Sequence, residues 1–424
     1  MLDLQFIREN IETVRSACRD KRASVDLDGL LGMDRERREA IQKADQLKAE
    51  RNRASEEIAR MKKEKQDASG RIAAMKAVGD EIKGLDERIR NIEGSMHDLL
   101  IHIPNIPHAS CPVGGPEANR IVKEWGKLPE FDFKVQPHWD IGPALGLVDF
   151  DRGSRLSGSN FVAYFGMGAR LERGLINFMI DLHVQKHGYR EVWVPAVVRR
   201  EMMFGTGQLP KLEEDMYHCG KDDLFLIPTA EVPVTNLHRE EIFDGAKLPV
   251  RYTAYTPCFR REAGSYGSDT RGLVRVHQFD KVEMVKFVKP ETSYDELENL
   301  LGNAEDVLQA LGIPYRVLSL ATGDMSFAAA KCYDIEAWAP GLGRWLEVSS
   351  CSNFEDFQAR RMNIRYRPEK SGKTEFVHTL NGSGLALPRT MIAILENFQT
   401  DEGTVIVPEP LRPYLGVSEL KPGT

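Results

Sequence analysis

The sequence predicts an α+β protein, a mainly antiparallel sheet flanked by helices and preceded by an antiparallel coiled-coil arm. Three observations carry that expectation. An apolar seam with alternating steps of three and four runs through a charge-rich N-terminal segment in which no proline precedes Pro104. Beyond residue 130, strand-like runs are joined by hairpin-like turns more often than by crossover helices, which favours antiparallel pairing. Between the two lies a Pro/Gly-rich linker, "HIPNIPH" at 102–108 followed by "CPVGGPE". The expected division is an N-terminal domain over 1–105, with the arm at about 28–103, and a second domain over 106–424.

The arm reads from its seam. Its second half repeats Met75, Val78, Ile82, Leu85, Ile89, Ile92, Met96, Leu99 and Ile103 without a break. The first half is weaker: Ala40, Ala44, Leu47, Arg51, Ala54, Ile58 and Met61. "KQDASG" at 65–70 supplies the break, so two helices of about 35 residues fold back on each other. At ~1.5 Å per residue each spans about 50 Å, too thin to hold a core of its own. "RMKKEK" at 60–65 clusters positive charge near the tip. It reads either as a solvated helix face or as a probe for a phosphate backbone.

With 424 residues the chain has room for two or three domains and at least one large core. A formal net charge of -7 argues against an overall basic surface, yet a local patch suffices for docking on nucleic acid. The cysteines Cys18, Cys111, Cys219, Cys258, Cys332 and Cys351 are scattered with no C-x-x-C pair, so neither zinc nor a disulfide framework is expected. No apolar run is long enough to span a membrane, and "MLDLQFIREN" lacks the plan of a secretory signal. The expected compartment is the cytoplasm.

In the second domain, residues 166–188 read as an amphipathic helix through Leu171, Leu175, Phe178, Met179 and Leu182, followed by a strand "EVWVP" that stops at Pro195. Later strands are expected at "DDLFLIPT", "LPVRYTAYTPCFR", "LVRVHQFDKVEMVKFV", "PYRVLSL", "YDIEAWAP" and "RWLEVSSCSN". "SGKT" at 371–374 imitates the end of a phosphate-binding loop, but Arg367 stands where that loop needs glycine. The stretch "CFRREAGSYGSDTRGLVRVHQF", residues 258–279, is different. Strand alternation places Arg260 and Glu262 on one face, and a returning strand brings Arg275 and Phe279 back over it. A guanidinium forks onto phosphate, a carboxylate accepts from an amino group, and a phenyl ring stacks on a base. A salt-bridged solvent hairpin fits these residues alone equally well.

F-R-x-E, a variable loop and R-x-x-x-F resemble motif 2 of the class II aminoacyl-tRNA synthetases. "EVWVPAVV" resembles motif 1, and "NGSGLALPRTMIAILEN", 381–397, resembles motif 3 with Arg389 at a helix start. "TAEVPVTNLH", "EVSSCSNFEDFQARRMNIRYR" and "VPEPLRPY" narrow the resemblance to the bacterial-type seryl-tRNA synthetases, whose members also carry an N-terminal helical arm. Ser326 and Cys332 depart from that family's usual Gly and Thr.

The resemblance implies ATP-dependent activation of L-serine to seryl-adenylate, then transfer to the 3' end of tRNA(Ser), and of tRNA(Sec) where present. Positioning and charge stabilisation supply such a reaction, with no protein nucleophile. Carried over residue by residue, Arg260 and Arg389 are the catalytic pair. Arg260 bridges the α-phosphate and the serine carboxyl group. Thr229, Ala230 and Glu231 surround the α-amino group, and Glu283 with Ser383 takes the hydroxyl. A site that hydrogen-bonds a hydroxyl rejects the analogue lacking it by about 10⁴-fold or more. Arg260, Arg261, Glu262, Val276, Phe279, Glu347, Val348, Ser349, Ser350 and Arg389 form the ATP site, with Arg260 favoured over Arg261 as the phosphate contact. Glu347 and Ser350 are the implied Mg²⁺ ligands, a carboxylate and a hydroxyl that leave room for phosphate oxygens. Residues 264–272, rich in Gly and Ser, are expected to move when ATP or the tRNA acceptor end arrives. Further implied are tRNA contacts through the arm and the motif 2 loop, and a homodimer built on motif 1. Two other readings stay open: an amino-acid-activating relative that charges something other than tRNA, and a non-catalytic protein built on the coiled coil. Serine-dependent ATP–pyrophosphate exchange separates the second of these from the enzymes, and tRNA charging with and without the arm separates the first.

Overall fold

The computed structural model describes residues 1–263, 271–369 and 372–423. The chain divides into two compact units, Leu2–Pro104 and Asn105–Thr424. The Gly/Ser stretch 264–270 and Ser371 of "SGKT" lie outside the described residues.

The N-terminal unit opens with two short helices, α1 (Leu4–Glu9) and α2 (Ile11–Asp20), and continues into α3 (Leu27–Lys63) and α4 (Ser69–Leu100). Asp26 caps α3 by accepting from the Gly29 N–H, and "KQDA" falls in the turn between the long helices. The seam faces inward as its spacing predicts: Ala40, Ala44, Ala54, Ile82, Ile92 and Met96 are buried. Arg51 is the exception and stays exposed. Alanines fill the α3 side, which permits close approach of the larger α4 residues. Lys43–Glu81, Lys48–Asp86 and Arg71–Glu57 pair across the hairpin in antiparallel register. All are largely exposed, worth about 0–1 kcal/mol each, so the apolar seam holds the hairpin.

The larger unit is built on one sheet. Its strands are β1 (Arg120–Trp125), β2 (Arg190–Glu191), β3 (Val250–Phe259), β4 (Gln278–Val288), β5 (Tyr315–Ser319), β6 (Lys331–Ala339), β7 (Arg344–Asn353) and β8 (His378–Ala386), in the order β1-β5-β6-β7-β8-β4-β3-β2. Every neighbouring pair is antiparallel except β2 on β3. Three helices matter for the site: α5 (Gly166–Gln185), α6 (Glu231–Asn236) and α7 (Leu387–Asn397). Alternation along β4 divides the interior. Val282, Met284 and Val288 join the main core with Leu171, Leu175 and Met391. Val285 and Phe287 face a second core with Ala230, Val234 and Ala254.

Several expected strands are shorter than the sequence suggested. Of "EVWVP" only Glu191 lies in a strand, Arg190–Glu191, and "DDLFLIPT" keeps only Leu224–Leu226. The hairpin of 258–279 also differs: β3 ends at Phe259 and β4 begins at Gln278. Arg260, Glu262 and Arg275 are therefore not strand residues, and Glu262 adopts a left-handed backbone with φ 52°. Pairing nevertheless continues one step further, since the Arg260 N–H donates to the His277 carbonyl at 2.9 Å.

Candidate active site

One cavity of about 1010 Å³ opens on the sheet face that carries Phe279, Lys281 and Glu283. These three alternate along β4, so period-two geometry aims them the same way. Thr229, Glu231, Arg260, Glu262, Val276, Glu347, Val348, Ser350, Ser383 and Arg389 line the same space. Ala230, Arg261 and Ser349 are not among its lining residues. Ala230 is buried in the second core. Arg261 turns away, its Nε donating to the Met216 carbonyl at 3.0 Å and its guanidinium lying 4.8 Å from the Tyr217 ring centroid. The Ser349 hydroxyl donates to the Ser383 carbonyl at 2.7 Å, a tie between β7 and β8 behind the lining.

Two β-bulges make this set possible. Glu347 and Ser350 stand three apart, a spacing that puts strand residues on opposite faces. Between them the register against β6 jumps from Glu336↔Glu347 to Ile335↔Ser349, leaving Val348 as the extra residue, and both side chains reach the cavity. On β8 the register slips at Gly384, so Ser383 stands directly opposite Glu283. A Cβ at Gly384 would lie 2.4 Å from His183 Nε2, so this bulge requires glycine.

The first set of contacts gathers around two carboxylates. Lys281 Nζ lies 2.6 Å from Glu283 Oε2 and donates to Thr229 Oγ1 at 2.7 Å. Thr229 Oγ1 also accepts from the Glu231 N–H at 3.2 Å and donates to Glu283 Oε2 at 3.3 Å. Glu231 accepts from Gln358 Nε2 at 2.7 Å and from Gln208 Nε2 at 3.4 Å. Burial, reinforced by the Glu283 charge, pushes the Glu231 carboxyl up to about 7, against the pull of Gln358, Lys281 and Asn381.

The second set holds cations against acceptors. The Arg260 guanidinium lies 5.3 Å from the Phe279 ring centroid while its Nε donates to the Pro228 carbonyl at 3.3 Å. Arg275 Nη1 pairs with Glu262 Oε2 at 2.8 Å. Arg389 donates through Nε to the Val274 carbonyl at 3.2 Å and through Nη1 to the Glu347 carbonyl at 2.8 Å, with Glu347 Oε2 at 3.4 Å. The cavity thus presents forked donors for an anion, an aromatic face for a ring, and paired carboxylates for an ammonium or hydroxyl.

A hard divalent cation would find oxygen donors at Glu347 and Ser350, but the described residues hold no group of three or more His, Cys, Asp or Glu placed for a metal. Cys332 sits beside this pair, its Sγ 3.1 Å from Ser350 Oγ and accepting from Ser352 Oγ at 3.2 Å. Burial holds its thiol well above the ordinary range, so it acts as a packing group. Ser326 also lines the cavity.

Sequence reasoning missed Lys281, Asn381, Asp334 and Gln208, all of which line the cavity. For Lys281 a signal existed: "KVE" sets it two residues before Glu283, hence on the same face. The others depend on long-range packing that no local pattern reports.

Comparison with known proteins covers both units of the chain. A model of the seryl-tRNA synthetase N-terminal domain matches residues 1–107, and one of the tRNA synthetase class II core domain (G, H, P, S and T) matches 214–398. The serine–tRNA ligase of Geobacter sulfurreducens is 56% identical over 417 residues, covering 98% of this chain and 99% of its own. That of Heliobacterium modesticaldum is 58% identical over 418 residues, with coverage of 98% and 99%. The crystal structure of seryl-tRNA synthetase from Pyrococcus horikoshii complexed with ATP superposes with a TM-score of 0.94 at 37% identity, covering 100% of both chains.

Proposed function

The chain belongs to the seryl-tRNA synthetase family, an ATP-dependent serine–tRNA ligase of class II, and on that footing we propose how its cavity divides the work. The observation that carries the reading is the meeting of the two contact sets in one space.

Serine enters against the carboxylates. Its ammonium group meets Glu231 beside Thr229, and its hydroxyl meets Glu283 and Ser383, which face each other across β4 and β8. ATP takes the second set. Phe279 offers the ring face for adenine, Glu262 accepts from the adenine amino group, and Val276 contributes backbone. Arg260 is close enough to Phe279 to hold the α-phosphate over the serine carboxylate. Arg389 exchanges Glu347 for the γ-phosphate. Arg261 serves as a strut under this reading, since its donors are already turned to Met216.

Mg²⁺ would sit on Glu347 and Ser350 and neutralise phosphate charge. The protein's own part is positional. It brings the serine carboxylate to the α-phosphorus, keeps both reactants in one desolvated space, and places guanidinium charge where negative charge gathers. Leu2–Pro104 acts as the tRNA-binding domain and Asn105–Thr424 as the catalytic one. The tRNA acceptor end arrives beside residues 264–272. Charging of tRNA(Sec) follows by the same chemistry where that tRNA exists, and the site of action is the cytoplasm. No helix among the described residues is long and apolar enough to cross a membrane.

Arg260→Ala tests the reading. Serine-dependent ATP–pyrophosphate exchange is expected to fall by at least ~10², the scale for losing one charge-stabilising donor. Exchange at a near-normal rate would mean that Arg260 does not hold the α-phosphate.

A further inference from the structure

Lys281 is a buried cation in a pocket that must receive a second cation, the ammonium group of the substrate. Its side chain is 7% exposed and that of its partner Glu283 is 2% exposed. Nothing in the reaction calls for a lysine as base or nucleophile, so its place needs another account.

The hydrogen bonds supply one. Thr229 Oγ1 accepts twice, from Lys281 Nζ and from the Glu231 N–H, so its own proton has one direction left, toward Glu283 Oε2. Glu283 Oε2 in turn is held by both Lys281 and Thr229. Glu283 Oε1 has no hydrogen-bond partner among the described residues, although the residue lines the cavity. One open acceptor remains on a carboxylate whose other oxygen is fully engaged.

We propose that Lys281 is a specificity-determining positioning residue: it commits Glu283 Oε2 and the Thr229 hydroxyl to each other and to itself, so that Oε1 stands as the acceptor for the substrate hydroxyl. The proposal rests on the assignment of Thr229, Glu231, Glu283 and Ser383 to serine. An amino acid without a hydroxyl leaves that acceptor oxygen unpaired in the filled pocket, which is costly. Without Lys281, two neighbouring buried carboxylates face each other with no resident cation. Glu283 Oε2 and the Thr229 hydroxyl are then free to turn, and Oε1 is no longer fixed as the open acceptor. Serine binds less well and alanine is rejected less strongly. Lys281 also balances charge, since with serine bound two carboxylates face two ammonium groups. The charged and titratable groups around this pair are Glu231, Cys258 and Cys351, on each of which Glu283 acts to raise the pKa, and Arg260, which lines the same cavity.

The experiment compares Lys281→Met, Lys281→Gln and Lys281→Arg in the full-length protein by ATP–pyrophosphate exchange with serine and with alanine, alongside thermal melts. In both neutral variants the serine KM is expected to rise by ~10², with a smaller change in kcat and an ATP KM close to wild type. The ratio of kcat/KM for serine over alanine falls by about tenfold or more. Lys281→Arg, which keeps the charge, recovers much of that ratio. If Lys281→Met fails to fold, Lys281→Gln gives the same comparison, because its amide can still hydrogen-bond Thr229. Equal losses for serine and alanine, or arginine performing no better than glutamine, would overturn the proposal and leave Lys281 a support of the sheet. Glu283→Gln separates the two levels. If it leaves the serine KM unchanged, the serine pocket itself is misassigned. If it raises the KM while the lysine variants do not, only the role of Lys281 is lost.

Discussion

Single residues set the chemistry, and Glu231 shows how. Its carboxyl titrates near 7 chiefly because it is buried, with Glu283 adding to the shift and Gln358, Lys281 and Asn381 opposing it. A serine ammonium group prefers the ionised form and draws the value down. Linkage then fixes the sign: below about 7 the free protein carries the proton, which must leave when serine binds. The serine KM should therefore rise as pH falls through 7, while the KM for ATP stays nearly flat. Calorimetry in buffers of different ionisation enthalpy should report release of about half a proton per site at pH 7. A serine KM indifferent to pH between 6 and 8 would mean that Glu231 does not meet the ammonium group. What the sequence revealed of this site follows residue by residue. Phe279 was readable from the returning strand alone, whereas Glu283 and Arg389 were reached through the family resemblance, although each sits where strand alternation or a helix start puts it. Glu262 was placed by the wrong rule, since its position depends on a left-handed backbone and not on a strand. Arg261 against Arg260 was decided by alternation and agrees with their placement, although neither belongs to a strand.

At the scale of elements, the least readable features are the two bulges. Glu347 with Ser350, and Glu283 opposite Ser383, could be paired only through family resemblance, because simple alternation assigns the first two to opposite faces. The bulge at Gly384 depends on a contact 201 positions away in sequence (384 minus 183), which no local pattern contains. Gly384→Ala forces a methyl group against His183, whose imidazole burial holds down to about 3 and therefore neutral. The expected cost is ~1–3 kcal/mol of stability, with a raised serine KM as Ser383 shifts. A relieving second change, His183→Ala, should restore part of the melting temperature; no recovery would place the strain elsewhere. The helix α5 and the chain after it were legible as motif 1, and they leave Val184, Trp193 and Val197 exposed along with Phe165, the capping residue of α5. Trp193, 80% exposed, is the largest of these. A homodimer on this face is our proposal for what covers them. Trp193→Glu should shift the protein toward monomer in sedimentation velocity, and an unchanged dimer would move the interface away from motif 1.

For the whole molecule, the function proposed above puts both chemical steps in the larger unit and leaves the arm the task of holding tRNA. Every residue assigned to serine and ATP lies in Asn105–Thr424, whereas the long helical hairpin lies in Leu2–Pro104. Arg60, Lys62, Lys63 and Lys65 are exposed at the α3 end of the hairpin turn. The first three stand in the last helical turn, where positive charge also suits the helix dipole, so their presence does not by itself demand an RNA partner. Two causes, one structural and one functional, predict different losses. Replacing Lys62, Lys63 and Lys65 with glutamine removes no seam residue and should leave serine-dependent exchange at the wild-type rate. If these lysines meet phosphates, kcat/KM for tRNA falls, and the log–log dependence of tRNA affinity on salt becomes shallower by roughly 0.7–0.9 for each phosphate no longer neutralised. If they only complement the dipole, the melting temperature drops slightly and the salt slope stays as it was. Deleting residues 28–103 extends the same logic, with tRNA charging crippled and exchange spared. Loss of both together would instead make the arm a requirement for folding, and the salt slope of the triple lysine variant would then be the remaining measure of whether the tip touches tRNA.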